Sequence, residues 1–294
     1  MPSRIPETKN EWSSSANIIT RFLALQQIYS ASELGAYLQS ECSDETDTSD
    51  SRSQPIDVVV LCASAILAIP EAVFKWAIQE QNRPDAHQRN TVLVLCGGIG
   101  PCTPFVYDSI KSSKKYSQIY DEVYGKPEGQ VLKVMAERFY KLDITKLKHH
   151  SPSQDGFRIL ISDRSTDCGA DATETRKVLE HEGIYSPRSI VVVQDPAMST
   201  RTVSSFSRVY DGQQARISSW PRLKSETGDS KREAQNKDIP KELWSMDRFL
   251  DRIMGNTSRM PETDTKTSSA IAIPHEVEDA WSTIMDKDSL EIWS

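Results

Sequence analysis

Four polar stretches of this chain carry residue types that bind small molecules or catalyse reactions. They read CASA (62–65), CGGIGPCT (96–103), DRSTDCGADA (163–172) and QDPAMSTRT (194–202), and each adjoins the end of a short apolar run. Together they supply carboxylates, arginines, thiols, hydroxyls and a glycine-rich turn. If the apolar runs are parallel strands, ligands bind beyond their carboxyl ends, near the point where the strand order reverses. The sequence therefore predicts one cleft shared by the four turns.

The third and fourth stretches are rich in acids. Asp163, Asp167 and Asp171 lie in one, and Asp195 lies in the other. Carboxylates repel a bare polyphosphate, and they suit ribose hydroxyls, amino groups, a sulfonium or a divalent metal. Arg201 can hold a carboxylate or phosphate, because its planar fork matches these anions. The alternative is that the acids cap helices, which fits Asp195 and at least one of Asp167 and Asp171.

The turn from Gly97 to Gly100 resembles a phosphate-binding loop, because glycines let backbone N–H groups approach an anion at the start of a helix. Its position differs from that of the dinucleotide fingerprint, which follows the opening strand, and no Walker A motif is present. On this interpretation the turn donates hydrogen bonds to a ligand. The alternative is a tight turn whose glycines allow a strand and a helix to pack closely.

Two residues of the third stretch are candidates for catalysis, Cys168 and Asp163. Cys168 lies near a predicted helix N-terminus, which lowers the pKa of a thiol. No histidine stands in a motif position beside it, since His181 falls about three turns further along the helix. A small buried thiol is the alternative role. Ser64 lies in a strand-to-helix turn without the Gly-x-Ser-x-Gly elbow of hydrolases, so no Ser-His-Asp triad is expected.

The elements that position these residues follow from the hydrophobic pattern. Four runs, at 56–62, 91–96, 157–162 and 189–194, are apolar almost throughout, which is typical of strands buried on both faces of a parallel sheet. Helical patterns separate them, and a further strand is expected at 215–220. Alternating strands and helices predict a Rossmann-like three-layer α/β/α sandwich with a mainly parallel sheet.

The predicted α/β core is flanked by two further regions. Residues 1–54 are expected to form N-terminal helices and an acidic, serine-rich loop at 41–50. Residues 55–223 form the Rossmann-like domain. Residues 224–294 contain a polar insertion at 224–239 and a small C-terminal α+β appendage packed on the core, with a helix at 241–255 and a closing strand and helix from 268.

Composition narrows the classes of partner. The 294 residues carry a formal net charge of −7 with dispersed lysines and arginines, so nucleic acid is not an expected partner. The longest apolar stretch, Val58 to Pro70, is shorter than the roughly 20 residues of a membrane span, and the N-terminus lacks the apolar core of a secretory signal. The five cysteines form no Cys-x-x-Cys pair, and no metal site is expected from their spacing. These features predict a cytoplasmic protein.

The motifs, in this order and spacing, resemble the YdcF-like proteins of the SanA/ElyC/YdcF family, a domain family of unknown function. The resemblance is carried by VVVLCASAI, LVLCGGIG, SDRSTDCGADA and VVVQDPAMSTRT, and it extends from about Ile56 through LWSMDRFL and IPHEVEDAW. It implies a Rossmann-like domain with a ligand cleft at the strand ends and, in the YdcF branch, a proposed ability to bind S-adenosylmethionine. It implies no established reaction.

Matching these motifs to the family, residue by residue, implies which residues of this chain bind a ligand. The family-like positions are Gly97, Gly98, Gly100, Glu128, Ser165, Thr166, Cys168, Gly169, Gln194, Asp195, Arg201 and Thr202. The predicted ligand-binding residues are Ser64, Gly97, Gly98, Ile99, Gly100, Glu128, Asp163, Ser165, Thr166, Asp167, Gln194, Asp195 and Arg201. This chain departs from its relatives at Ser162, where they have an acid, and at Asp171, where they have an asparagine. CASA also lacks the paired glycines of many members, which argues against phosphate binding at the first turn.

Three functions fit these features. The first is a protein that binds a nucleoside-like small molecule, with S-adenosylmethionine as the first candidate. The second is a hydrolase or transferase that acts on a small anionic substrate through Cys168 or an aspartate-bound metal. The third is a non-catalytic interaction protein in which segments 41–50 and 224–239 recruit partners.

Overall fold

The structure, a computed structural model, describes residues 27–39, 55–83, 90–144, 156–220 and 274–291, together with residues 15, 18, 19, 22 and 25. The strands are β1 (Ile56–Cys62), β2 (Asn90–Cys96), β3 (Arg158–Ser162), β4 (Ser189–Val193) and β5 (Arg216–Ser219). The helices are α1 (Ala31–Gln39), α2 (Ala68–Gln81), α3 (Thr103–Ser112), α4 (Tyr120–Val123), α5 (Glu128–Tyr140), α6 (Cys168–His181), α7 (Ser199–Val209) and α8 (His275–Glu291). Two 3-10 turns, Ser117–Ile119 and Pro196–Met198, precede α4 and α7.

The five strands form one parallel sheet in the order β3-β2-β1-β4-β5. Cys62 of β1 lies beside Cys96 of β2, and Val60 of β1 lies beside Val192 of β4. The order changes direction between β1 and β4, because the chain builds one half of the sheet outward from β1 before it returns to add the other half. The predicted Rossmann-like α/β fold with a parallel sheet is confirmed.

Helices cover both faces of the sheet. Val59 and Leu61 of β1 belong to the larger core, which includes residues of α2, α3 and α5. Val58 and Val60 belong to the smaller core, which includes residues of α6 and α7. Successive side chains of a strand point to opposite faces, so a strand covered on both sides needs an apolar residue at every position. This explains the unbroken apolar runs of the sequence.

The N-terminal segment covers the β5 edge of the sheet. The N–H groups of Gln27 and Ile28 donate to the main-chain oxygen of Ser219 at 3.2 and 3.1 Å. The hydroxyl oxygens of Tyr37 and Ser218 are 2.5 Å apart. These hydrogen bonds occupy polar groups that would otherwise remain open at the edge of the sheet.

The structure adds to or departs from the sequence pattern at three places. The helical pattern of residues 173–183 covers only part of α6, which begins at Cys168 because Asp167, one of the two predicted caps, caps it there. Asp195 was expected to cap the next α-helix, but its main-chain oxygen accepts a hydrogen bond from Met198 at 2.8 Å, which closes a 3-10 turn first. The α-helix then begins at Ser199. The 3-10 turn and α4 between α3 and α5 were not predicted.

Several predicted features lie outside the described residues, namely the acidic loop 41–50, the insertion 224–239, a helix at 241–255 and a strand at 268–273. The predicted closing helix is present as α8. In the described ranges, no helix combines the length and the apolar character needed to cross a bilayer.

Candidate functional site

The strand order brings four turns together at the carboxyl edge of the sheet. Along that edge, the turns after β3, β2, β1 and β4 follow one another. The switch point lies between β1 and β4, so Ser64 on one side and Gln194 and Asp195 on the other flank the crevice in which open α/β sheets bind ligands. The four polar stretches of the sequence therefore share one edge of the sheet.

The glycine turn packs directly against the third turn. A Cβ atom on Gly98 would lie 1.8 Å from the main-chain oxygen of Ser165, and one on Gly100 would lie 2.4 Å from that of Thr166. Gly97 has a φ of +143°, which L side chains rarely adopt. Close packing between neighbouring turns therefore accounts for glycine at these positions.

Three backbone N–H groups of the glycine turn donate to protein acceptors. The acceptors are the main-chain oxygen of Ser162 for Gly97, Oγ of Ser165 for Gly98 and Oγ1 of Thr103 for Gly100, at 2.9, 2.9 and 2.8 Å. These groups are thus engaged within the protein and are not directed at an open anion site. Ile99, at the tip of the turn, has a side chain that is 54 % exposed.

Glu128 holds the start of α5 against the glycine turn. Its N–H group donates to the main-chain oxygen of Gly98 at 3.0 Å, and the N–H group of Gly129 donates to that of Gly97 at 2.6 Å. Its carboxylate accepts a hydrogen bond from Oγ1 of Thr103 at 2.9 Å. Glu128, a predicted site residue, therefore lies at the glycine turn, where its hydrogen bonds stabilise the backbone of that turn.

The acids of the third turn have different partners. Oδ1 of Asp167 accepts hydrogen bonds from the N–H groups of Gly169 and Ala170 at 2.8 and 3.0 Å, which is the geometry of a helix N-cap. Oδ2 of Asp163 accepts from Nε2 of Gln130 at 2.7 Å. Asp167 is exposed and Asp163 is half-buried. Asp167 therefore performs the capping role, and α5 fixes the orientation of Asp163 at the carboxyl edge of the sheet.

The fourth turn buries polar residues at the switch point. Gln194 is 5 % exposed and Asp195 is 2 % exposed. Oε1 of Gln194 accepts from the N–H group of Asp195 at 2.7 Å, and the main-chain oxygen of Asp195 accepts from Oγ of Ser199 at 3.1 Å. Arg201, in the first turn of α7, is exposed. A carboxyl group is thus held inside the protein at the end of β4, and an exposed arginine follows it in the first turn of α7.

Ser64 stabilises the turn after β1 through a hydrogen bond of its side chain. Its side chain is buried, and its Oγ accepts a hydrogen bond from the N–H group of Ile66 at 3.0 Å. The N–H group of Ala63 donates to the main-chain oxygen of Cys96 at 3.0 Å, which joins the first turn to the end of β2. The hydroxyl of Ser64 thus stabilises the backbone at the start of α2.

Cys168 is the first residue of α6 and is half-buried. His181 is the last residue of the same helix, about 20 Å away at a rise of 1.5 Å per residue. It lies at the surface, where its Nδ1 is 3.2 Å from Oε1 of Glu182. This helix therefore contains no thiol–imidazole pair of the kind that activates a catalytic cysteine.

A buried cluster of side chains that the sequence pattern does not reveal lies where β1 and β2 end against α6. Within the described part of the chain, the ligand atoms of Cys62, Cys96 and Asp171 all lie within 4.8 Å of one another. Sγ of Cys96 is 3.4 Å from Oδ1 of Asp171 and 3.4 Å from Oγ1 of Thr175. The sequence shows that both cysteines end apolar runs, but it does not show that these runs pair in register.

The interior shifts these three groups toward their protonated forms. Burial raises the pKa of Asp171 to about 6. The hydrogen bond with Cys96 and then burial raise the pKa of Cys62 well above its ordinary value. In Cys96 the hydrogen bond with Cys62 lowers the pKa, but burial and the nearby Asp171 outweigh it, so the pKa is raised. Both thiols are therefore weak nucleophiles.

No protein-family model matches the chain. The resemblance to YdcF-like proteins therefore rests on the four motifs of the sequence.

Proposed function

We propose that this chain is a YdcF-like, Rossmann-type protein that binds a nucleoside-like small molecule at the carboxyl edge of its sheet, with S-adenosylmethionine as the first candidate. The observation that carries the proposal is the position of Asp195, a carboxyl group with 2 % exposure that follows β4 beside the switch point. Carboxylates in Rossmann-type crevices accept hydrogen bonds from ribose hydroxyls.

The charges at the cleft favour a ligand with a positive group and without a polyphosphate. Asp163 and Asp167 contribute carboxylates to the third turn. Three N–H groups of the glycine turn already have protein acceptors, so they are poorly placed to hold phosphate oxygens. A sulfonium or amino group gains Coulomb energy near such carboxylates, whereas a triphosphate loses it.

Other residues around the crevice suit the remaining parts of such a ligand. Arg201 is exposed at the start of α7, and its guanidinium can hold a ligand carboxylate with two parallel hydrogen bonds. The exposed side chain of Ile99 offers an apolar surface for a base. In this proposal Asp195 accepts from ribose, Arg201 holds the amino-acid carboxylate, and the acids of the third turn face the sulfonium.

A cytoplasmic location is part of the proposal. Among the described residues, Cys62, Cys96, Cys102 and Cys168 form no disulfide, as is usual in a reducing compartment. Fluorescence microscopy of a tagged chain tests the location, and accumulation outside the cytoplasm would exclude it.

A thermal-shift panel of S-adenosylmethionine, S-adenosylhomocysteine, ATP and NAD tests the ligand class. A ligand that binds only the folded state at about 100 times its Kd stabilises that state by about 2.7 kcal/mol, which corresponds to a rise in Tm of several degrees. We expect the first two compounds to raise Tm and the two nucleotides to have little effect. No response to any of the four at millimolar concentration would reject the proposal.

Matched variants then test the site itself. Asp195→Asn keeps the shape of the side chain and removes its charge, so we expect the S-adenosylmethionine shift to disappear. Asp108→Asn, at an exposed position of α3, is the control and should keep the full shift. Equal shifts in the two variants would show that the ligand binds elsewhere.

A further inference from the structure

Two thiols and a carboxyl group meet in the interior between the sheet and α6. We propose that Cys62, Cys96 and Asp171 form a binding site for a zinc ion that fastens α6 to β1 and β2. This site requires no small-molecule ligand, so it is independent of the function proposed above.

The backbone itself brings the ligands together. Cys62 and Cys96 are the last residues of β1 and β2, and they are direct partners in the parallel register. Both belong to the core on the α6 side of the sheet. Asp171 and Thr175 are four residues apart in α6, so they share one face of that helix. The four side chains therefore converge because of strand register and helix periodicity.

The distance between Cys96 and Asp171 fits tetrahedral coordination, and Cys62 lies close enough to complete the group. With bonds of about 2.3 Å to sulfur and about 2.1 Å to oxygen, neighbouring sulfur and oxygen ligands of a tetrahedral zinc lie about 3.6 Å apart. Sγ of Cys96 is 3.4 Å from Oδ1 of Asp171 and 3.4 Å from Oγ1 of Thr175. The ligand atoms of Cys62, Cys96 and Asp171 lie within 4.8 Å of one another. The hydroxyl of Thr175 is thus a neighbouring neutral donor for the fourth position.

The donor set selects the kind of metal. Thiolates favour zinc and other soft or borderline ions, whereas magnesium and calcium take oxygen ligands. Zinc would replace the two thiol protons and any proton on the carboxyl group, since only the deprotonated groups coordinate it. Two thiolates and one carboxylate leave a net charge of about −1 around Zn²⁺, and the positive N-terminal end of α6 lies in the same place.

The competing arrangement is a chain of hydrogen bonds in which Cys62, Cys96 and Asp171 keep their protons. It uses the same geometry but binds no metal. Cysteine spacing along the chain does not distinguish the two, because the ligands come from three separate elements and no local zinc motif exists. Metal content decides between them.

The first experiment measures zinc in the full chain, expressed with zinc supplementation and purified without chelator, by elemental mass spectrometry. We expect about one zinc per chain. Replacement by Co²⁺ should then give the intense near-ultraviolet absorption of cobalt–thiolate bonds, which oxygen ligands do not produce. Absence of both zinc and this absorption in the wild-type protein would overturn the proposal, whatever the variants do.

Variants test which residues bind the ion. We expect Cys96→Ser and Asp171→Asn to weaken zinc binding by on the order of tenfold or more, whereas Cys102→Ser, a half-buried thiol outside the cluster, should leave it unchanged. Circular dichroism identifies a variant that fails to fold. Unchanged zinc content in both folded site variants would place the ion elsewhere and reject this site. No small molecule is added, so the result does not depend on the function proposed above.

Discussion

Gly98 and Ser165 join the turns after β2 and β3 into one unit. The N–H group of Gly98 donates to Oγ of Ser165 at 2.9 Å, and a Cβ atom on Gly98 would lie 1.8 Å from the main-chain oxygen of Ser165. The contact exists because β2 and β3 are neighbours and end at the same level, with Cys96 beside Ser162. The close packing of these two turns therefore requires that Gly98 has no side chain.

Gly98→Ala should destabilise the fold by about 1–3 kcal/mol or more. The new methyl group would clash with main-chain atoms of Ser165, and relieving the clash requires the whole third turn to shift. Urea unfolding followed by circular dichroism measures the change. Gly35→Ala is the matched control: a Cβ there meets nothing within 4 Å, and alanine favours the helix by about 0.5–1 kcal/mol. Equal stability of the two variants would contradict the packing argument.

Asp57→Asn should cost about 1–3 kcal/mol or more, because it removes the carboxylate partner of the half-buried Arg188. Arg188 donates to both carboxylate oxygens of Asp57, and Oγ of Ser189 donates to Oδ1 at 2.6 Å. The side chains of Asp57 and Arg188 are only 6 % and 19 % exposed. The same urea experiment measures the loss.

A surface ion pair supplies the control for this prediction. Arg138 and Glu122 are 3.0 Å apart, but their side chains are 64 % and 37 % exposed. Glu122→Gln should therefore change the free energy of unfolding by at most about 1 kcal/mol. A loss as large as that of Asp57→Asn would show that burial does not explain the difference between the two pairs.

Asp167→Ala should reduce stability by about 1 kcal/mol through loss of the α6 cap, and Asp167→Ser should recover most of it, since serine also caps helices. Two hydrogen bonds, to Gly169 and Ala170, form the cap. Thermal unfolding of the three proteins provides the measurement. If the serine variant is as unstable as the alanine variant, Asp167 stabilises the protein in some way other than capping.

The strands were predictable because a strand that is buried on both faces has apolar residues at nearly every position, as in the run 56–62. The partners of the site residues were not predictable in the same way. From the sequence, Gly98 could either donate a hydrogen bond to a ligand or allow two turns to pack closely. Its contact with Ser165 in the structure shows the packing role. The meeting of Cys62 with Cys96 depends on strand register, which is set by contacts far apart in the sequence.

A buried tyrosine should make stability fall at high pH. The hydroxyl of Tyr116 donates to Oε1 of Glu71 at 2.8 Å and lies 2.8 Å from that of Tyr140. Lys115 donates to the same Glu71 oxygen at 3.2 Å and to the hydroxyl of Tyr140 at 2.8 Å. Burial is the largest cause that raises the pKa of Tyr116 above its ordinary value of 10.0, and its hydroxyl neighbour Tyr140 adds to this.

The sign of the pH effect follows from this raised pKa. Below pH 10.0 Tyr116 is protonated in both states, so its contribution to stability is fully present. Above that pH only the unfolded state releases the proton, and stability falls by up to about 1.4 kcal/mol per pH unit. Tyr116→Phe should lose about 1 kcal/mol at neutral pH but show a shallower decline above pH 10.0. Urea unfolding across this range measures both effects, with Tyr185→Phe, 65 % exposed, as the control. An unchanged slope in Tyr116→Phe would show that this hydroxyl does not drive alkaline unfolding.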